Sequence, residues 1–195
     1  MTAEPGDGGD DPIPPVRTAR LLLRCVRPDD APAVSALMTP GVSARVASWP
    51  SPMSLETAGE FIRRARVASE RRRAVHYGIF PAGDEGAALM GWISVRAMDE
   101  PAGLGALGYW MGEPHQGRGY TTEAARAVLG AAFLHLALDR IEAGAQVDNA
   151  ASLAVLRRIG MRPTGERMVH APSRGRDEPC LFFEIGRAEA GVSPA

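Results

Sequence analysis

The run Pro114-His115-Gln116-Gly117-Arg118-Gly119-Tyr120-Thr121-Thr122-Glu123-Ala124 joins two different patterns. Leu104 to Met111 before it reads as a strand, and Tyr120 to Leu138 after it reads as a long helix. Gly117 and Gly119 alternate with Gln116, Arg118 and Tyr120 at the junction. Glycine lets the backbone turn with positive φ and come close to a ligand. Successive amides in such a turn converge on one anion. The helix start adds unpaired N–H groups and about half a positive charge. Strand, turn and helix start together have the form of a phosphate or pyrophosphate cradle. An ordinary glycine connection satisfies the same local pattern. No G-x-x-x-x-G-K-[ST] loop occurs, and Gly103-Leu104-Gly105 lacks the third glycine of a dinucleotide fingerprint.

The rest of the chain supplies a sheet for this junction. Residues 1–15 are Gly, Pro, Asp and Glu with almost nothing to bury, and are expected to be a disordered tail. Arg20 to Arg27 reads as the first strand. Pro28-Asp29-Asp30 opens a short helix to about Met38, with Asp29 or Asp30 as its cap. Gly41 to Met53 reads as a loop. Ser54 caps a helix to about Arg72, whose inner face is Leu55, Ala58, Ile62, Ala65 and Ser69. Its arginines read as a solvated face. Ala74 to Phe80, Ala87 to Met98 and Leu104 to Met111 are three strands. Short turns at residues 81–86 and 99–103 make them an antiparallel meander. The helix Tyr120 to Leu138 is apolar almost all round and is expected to be well buried.

Arg140 to Val147 is the next strand, and Asp148-Asn149 caps a helix from Ala150 to Ile159 that stops at Gly160. Strand, helix, strand implies a parallel pair, and parallel strands that diverge at their carboxyl ends leave a ligand crevice. Residues 162–186 close the sheet as a hairpin, and the chain from Arg187 reads as unpacked. The expected fold class is therefore α+β: a mixed, mostly antiparallel sheet of about seven strands with about four helices. One domain spans residues 16–187, and residues 188–195 form a C-terminal tail.

Composition narrows the functional classes. The chain has 195 residues with a 45% apolar share, enough for one core. A formal net charge of -1 gives no general attraction to nucleic acid or anionic membrane. No apolar run approaches the ~20 residues that span a bilayer, and no secretory signal pattern is visible. Cys25 and Cys180 read as reduced core residues of a cytoplasmic protein, and no cluster has metal-ligand spacing. All 22 basic residues are arginine.

Gln116-Gly117-Arg118-Gly119-Tyr120-Thr121 resembles the Q/R-x-x-G-x-G/A loop of the GNAT N-acetyltransferase superfamily, with Thr121 where Gly or Ala is usual. Gly117 to Ala124 is similar to the G-K-G-Y-A-T-E-A run of the RimJ/RimL-like branch, and Thr18 to Arg24 to its T-x-R-L-x-L-R start. Asn149 to Met161 resembles the N-x-x-S-x-x-V-L-x-x-x-G-F segment, with Met161 in place of Phe. The resemblance covers roughly Thr18 to Ile185, with its middle third resting on strand order more than on motifs.

The resemblance implies a GNAT-like fold and transfer of an acetyl group from acetyl-coenzyme A, as cosubstrate, to a primary amine. The backbone of Gln116, Gly117, Arg118, Gly119, Tyr120 and Thr121 would hold the pyrophosphate. Tyr109, Trp110 and Met111 would pair with the pantetheine arm, and an N–H of Trp110 or Met111 would polarise the acetyl carbonyl. Asn149 would bond the arm. Ser152 would approach the sulfur and could protonate the leaving thiolate. Asn149 is also a good helix cap, and Ser152 also suits a first-turn role. A base has to take the amine's proton. Glu113 and Glu142 are the nearest acids in sequence, with His76 and His115 as alternatives. The acceptor is a protein N-terminus or a small-molecule amine, in a pocket built from the Gly41 to Met53 loop, the arginine helix and the final hairpin, which carry no motif. The resemblance also implies a homodimer through the later strands. Two further readings stand beside the enzyme: a non-catalytic acyl-coenzyme A binding or sensing module, and use of another acyl donor such as succinyl-coenzyme A.

Overall fold

The computed structural model describes residues 11–83 and 86–191. The strands are β1 (Val16–Arg17), β2 (Leu21–Cys25), β3 (Ala74–Pro81), β4 (Gly91–Ala97), β5 (Leu104–Met111), β6 (Arg140–Gln146), β7 (Arg162–Ala171) and β8 (Arg176–Gly186). They form one sheet in the order β1-β2-β3-β4-β5-β6-β8-β7. The helices are α1 (Ala31–Leu37), α2 (Pro40–Ser43), α3 (Leu55–Glu70), α4 (Tyr120–His135) and α5 (Ala150–Arg158). The α+β class and the meander of β3, β4 and β5 are as expected from the sequence.

Side chains alternate between the sheet's two faces, so two cores form. Tyr77, Ile93, Leu107, Ile141 and Phe183 pack under α4 and α5 with Val128, Phe133 and Leu156. Phe80, Trp92 and Trp110 pack on the other face with Val34, Ala58 and Ile62 of α1 and α3. Ser54 caps α3 by accepting the Thr57 N–H at 3.0 Å. Gly160 ends α5 with φ 87°, where Met161 N–H returns to Leu156 O. Cys25 and Cys180 are free and buried, and burial raises both thiols.

One pairing decides where a ligand can enter. β5 and β6 are parallel only at Leu104↔Arg140, Gly105↔Ile141 and Ala106↔Glu142. Beyond Ala106 the two strands separate. β4 holds the outer edge of β5 as far as Met111, and β8 holds the outer edge of β6 as far as Gln146. Each strand follows its own antiparallel partner, and sheet twist opens a wedge between them.

Several expectations are corrected. Residues 1–10 lie outside the described residues, but 11–15 are packed. Ile13 is 0% exposed in the core under α4, and Pro14 O accepts the Tyr77 hydroxyl at 2.5 Å. One apolar side chain among polar neighbours is enough to anchor the segment. The C-terminal side is not loose at Arg187, whose guanidinium donates to Phe133 O and Leu138 O. Residues 192–195 lie outside the described residues.

Helix α4 ends at His135 because Leu136 is extended, and Leu134 is 67% exposed. Leu55 is likewise exposed, at the first turn of α3. Asp30 makes no side-chain cap bond to α1. Its carboxylate takes Arg24 through both oxygens and the Arg27 N–H. The expected strand from Ala87 starts only at Gly91, and the loop from Gly41 includes the short α2. Ile13→Ala should cost about 2–4 kcal/mol, as buried Ile truncations do. Urea unfolding checks this as a lower midpoint at unchanged slope.

Candidate functional site

The wedge between β5 and β6 is the core of a cleft of about 380 Å³. Its first wall is the bare edge of β5. Backbone polar groups of a strand point alternately to either side. Gly103 O points toward β6, where it accepts the Asp139 N–H at 2.7 Å. Gly112 N–H points toward β4 and meets Met90 O at 2.9 Å. The pairing of β4 with β5 has no bulge between these points. The amides of Tyr109 and Met111 therefore face the cleft, and that of Trp110 faces β4. Of the two amides expected to polarise the carbonyl, that of Met111 faces the cleft and that of Trp110 faces β4. The Trp110 ring packs away from the edge, 5.3 Å from Trp49.

The second wall is the glycine loop. Gly117 (φ 74°) and Gly119 (φ 77°) are both left-handed, and Gly119 is the residue before α4. Among the described residues, the N–H groups of Gly117, Arg118 and Gly119 have no protein acceptor. The first turn of α4 from Tyr120 adds the free N–H groups of any helix start. Gln116 Nε2 donates to Met111 O at 2.8 Å and ties the loop to the end of β5. This set of amides fits a pyrophosphate.

Residues far away in sequence brace that loop. Arg20 Nη1 donates to Arg118 O at 3.0 Å, and Arg20 Nε donates to Glu123 Oε2 at 2.7 Å. Glu123 Oε1 accepts the Thr18 hydroxyl at 2.6 Å and the Arg20 N–H at 2.9 Å. Burial opposes ionisation of Glu123, but the Thr18 and Arg20 bonds outweigh it and hold the carboxyl below its ordinary range. The sequence placed Thr18, Arg20 and Glu123 inside motifs and assigned them no task. Their separation along the chain hides the contact. Past Gly119 the cleft opens into a shallow recess bearing Arg20, Arg126 and Arg158.

The third wall is the start of α5. Asn149 Oδ1 caps the helix by accepting the Ser152 N–H at 3.2 Å. That oxygen is occupied, so its NH2 group is the part left for a ligand. Ser152 Oγ lies 2.8 Å from the Tyr109 hydroxyl, across the wedge. Burial raises the Tyr109 phenol to about 12, against the Ser152 bond. Tyr109 is thus a neutral O–H donor at ordinary pH.

The candidate bases separate. Glu113 lines the cleft, and its Oε2 accepts the Thr39 hydroxyl at 2.8 Å. Thr39 Oγ1 in turn accepts the Val42 N–H that starts α2. A Cβ on Gly41 would sit 2.4 Å from Glu113 Oε1, so glycine makes room for the carboxylate. Glu142 is not brought to the cleft. It pairs with Ala106 at the closed end of the wedge, and Arg167 holds its carboxylate at 2.7 Å. His76 is absent from the lining and accepts the Trp92 N–H at 3.3 Å. Burial, then Arg96, lowers His76 to about 4. His115 lines the cleft, and burial, then Arg118, lowers it too. Val42, Arg45 and Val46 line the same cleft as Glu113, and they lie in the Gly41 to Met53 segment expected to form part of the acceptor pocket.

Comparisons with known proteins agree with this geometry. The acetyltransferase (GNAT) domain model matches residues 20–162. YjcK of Bacillus subtilis (strain 168) is 38% identical over 97 residues, 49% of this chain and 52% of that protein, so the match spans about half of each. YdaF of the same organism is 29% identical over 175 residues, 87% of this chain and 92% of that protein. Both carry provisional N-acetyltransferase names, YdaF as a ribosomal one. RimJ of Mycobacterium smegmatis, solved with CoA-disulfide, superposes with a TM-score of 0.75 at 22% identity, covering 91% of this chain and 88% of that one. RimL, a ribosomal L7/L12 α-N-protein acetyltransferase solved with coenzyme A, gives 0.75 at 20%, covering 89% and 98%. Matched by its family model over most of its length, and folded around a splayed strand pair and a glycine cradle, the chain belongs to the GNAT acetyltransferase domain family.

Proposed function

We propose that this chain transfers acetyl from acetyl-coenzyme A to a primary amine, either a protein α-amine or a small-molecule amine. The observation that carries the reading is the open edge of β5, with the glycine loop, Ser152 and Glu113 on one cleft. The likeness to RimL, a ribosomal L7/L12 α-N-protein acetyltransferase, favours a protein N-terminus as acceptor. No helix among the described residues is long and apolar enough to cross a membrane. With its two free cysteines, the chain is proposed to work in the cytoplasm, apart from nucleic acid. Among the described residues β7 pairs only with β8, and it is exposed from Arg162 to Met168, so we assign its free edge to a homodimer contact.

Bound acetyl-coenzyme A would supply the activated acetyl group. Gly117, Arg118, Gly119, Tyr120 and Thr121 would hold its pyrophosphate through backbone N–H groups, with Gln116 bracing the loop. Tyr109 and Met111 would pair with the pantetheine arm and Asn149 would add its NH2 group. The Met111 N–H stabilises the carbonyl oxygen as negative charge develops there. Glu113 takes the proton from the attacking amine. Ser152 gives its proton to the departing sulfur and regains one through the Tyr109 O–H, which in turn takes its proton from solvent. Trp110 also lines the cleft and would support the strand edge beside the arm.

Thiol release from acetyl-coenzyme A, measured across free N-terminal peptides, polyamines and aminoglycosides, tests the reading. Coenzyme binding without release in any panel would instead mark a binding or sensing module. Gly119→Ala forces a side chain into a left-handed conformation at a cost of order 1–3 kcal/mol. It should weaken coenzyme binding about tenfold, measured by calorimetry. Glu113→Gln should lower kcat/KM by about 10²-fold and remove the acid limb due to the enzyme's base. Its pH–rate profile should then follow the amine alone, near pH 8 for an α-amine. An unchanged profile removes Glu113 as the base. Tyr109→Phe should lower kcat several-fold with coenzyme affinity retained. Because the phenol is raised to about 12, wild-type activity should show no alkaline fall from Tyr109 below about pH 10.

A further inference from the structure

Between α2 and α3 the chain has no regular structure, yet Arg45 and Val46 from it wall the cleft. Its carbonyls are held from the opposite half of the sheet. Arg174 Nη1 donates to Ser43 O and to Val46 O, each at 2.8 Å. Ser173 donates to Ala47 O through its N–H at 3.1 Å and its hydroxyl at 2.7 Å. Gln146 Nε2 donates to Ala44 O at 3.0 Å.

Glu178 holds the other side of Arg174. Arg174 Nε meets Oε1 at 2.9 Å and Nη2 meets Oε2 at 2.6 Å, a two-pronged pairing. Glu178 is 7% exposed and also accepts from Gln146 Nε2 and Arg176 Nε. The Arg174 bonds, working against burial, hold its carboxyl well below the usual range. A buried ion pair is weak ground for stability, since apolar replacements are often neutral. This pair is aimed at a loop rather than at the core. Arg174 and Ser173 belong to the turn between β7 and β8, so their bonds tie that hairpin to the cleft wall.

We propose that Arg174, locked by Glu178, is a positioning residue that sets the cleft wall carrying Arg45 and Val46 and so selects the acceptor amine. The inference rests on the acetyl-transfer reading of the cleft. The arginine uses three nitrogens on five acceptors: two carboxylate oxygens, two carbonyls and the Ser173 hydroxyl. Lysine offers one nitrogen and cannot span them. The pair sits on the Val46 side of the cleft, away from the glycine loop that would hold the coenzyme. Acceptor and coenzyme binding should therefore respond differently when it is broken.

The test uses the full chain as wild type, Arg174→Lys and the milder Ser173→Ala. Acceptor KM and kcat come from thiol release, and coenzyme Kd from calorimetry. The acceptor KM should rise about tenfold in Arg174→Lys and about threefold in Ser173→Ala, while kcat and coenzyme Kd stay within about twofold. Amide hydrogen exchange at 42–47 should quicken in both, with 117–122 unchanged. Unaltered acceptor KM in both variants, with a lower melting temperature, would mean a structural tie only and overturn the proposal. Acceptor KM and coenzyme Kd rising together would overturn it as well. If Arg174→Lys does not fold, Ser173→Ala decides. A wild type that turns over no amine sinks the transfer reading itself, and acceptor selection with it.

Discussion

Everything at the site follows from a parallel pairing that stops early. β5 and β6 share a ladder only up to Ala106 and Glu142, although both strands run on. The unpaired stretch of β5 is an open sheet edge, which proteins normally cover. Here it is left between two helix starts. α4 brings a left-handed glycine entry and unpaired amides, and α5 brings Asn149 and Ser152. An extended pantetheine arm is the complement of such an edge, because it offers amide groups at strand-like spacing. Continued pairing of β5 with β6 would fill the edge and separate Tyr109 from Ser152.

The loop and the edge are two halves of one arrangement, and the joints between them are specific. Gln116 ties the glycine turn to Met111 O, so the loop and the end of β5 keep a fixed distance. Arg20 and Thr18 hold Glu123 and the Arg118 carbonyl from the far edge of the sheet. The glycines give the loop its conformation at the expense of chain entropy. The Arg20 and Glu123 contacts offset that by leaving the turn one place to sit.

Much of this was legible in the chain because it is local. The strand-turn-helix run, the Ser54 and Asn149 caps and the Gly160 stop each need only a few neighbouring residues. The α+β class followed from their order. What stayed hidden is set by distance along the chain. Ile13 looks like an isolated apolar residue in a polar tail, and only the assembled sheet offers it a pocket. Glu142 looks as near the site as Glu113, but register puts it at the closed end of the wedge with Arg167 on top. Trp110 and Met111 are adjacent in sequence, and strand parity turns their amides in opposite directions. The cleft wall at Arg45 and Val46 had no motif because it is held by Ser173, Arg174 and Gln146 from far along the chain.

The exclusive use of arginine has a structural meaning. At Arg63, Arg64 and Arg71, exposed on or beside α3, a lysine would serve as well. At Arg20, Arg174 and Arg187 it would not. Each of these guanidiniums bonds at least two acceptors on separate segments: Glu123 and Arg118 O; Glu178, Ser43 O and Val46 O; Phe133 O and Leu138 O. A single ammonium cannot reach such divided targets. The planar fork thus acts as a cross-tie in a sheet that the open wedge has weakened. The same composition leaves an amine acetyltransferase with no lysine on its own surface, so its α-amine is the one primary amine it could modify in itself.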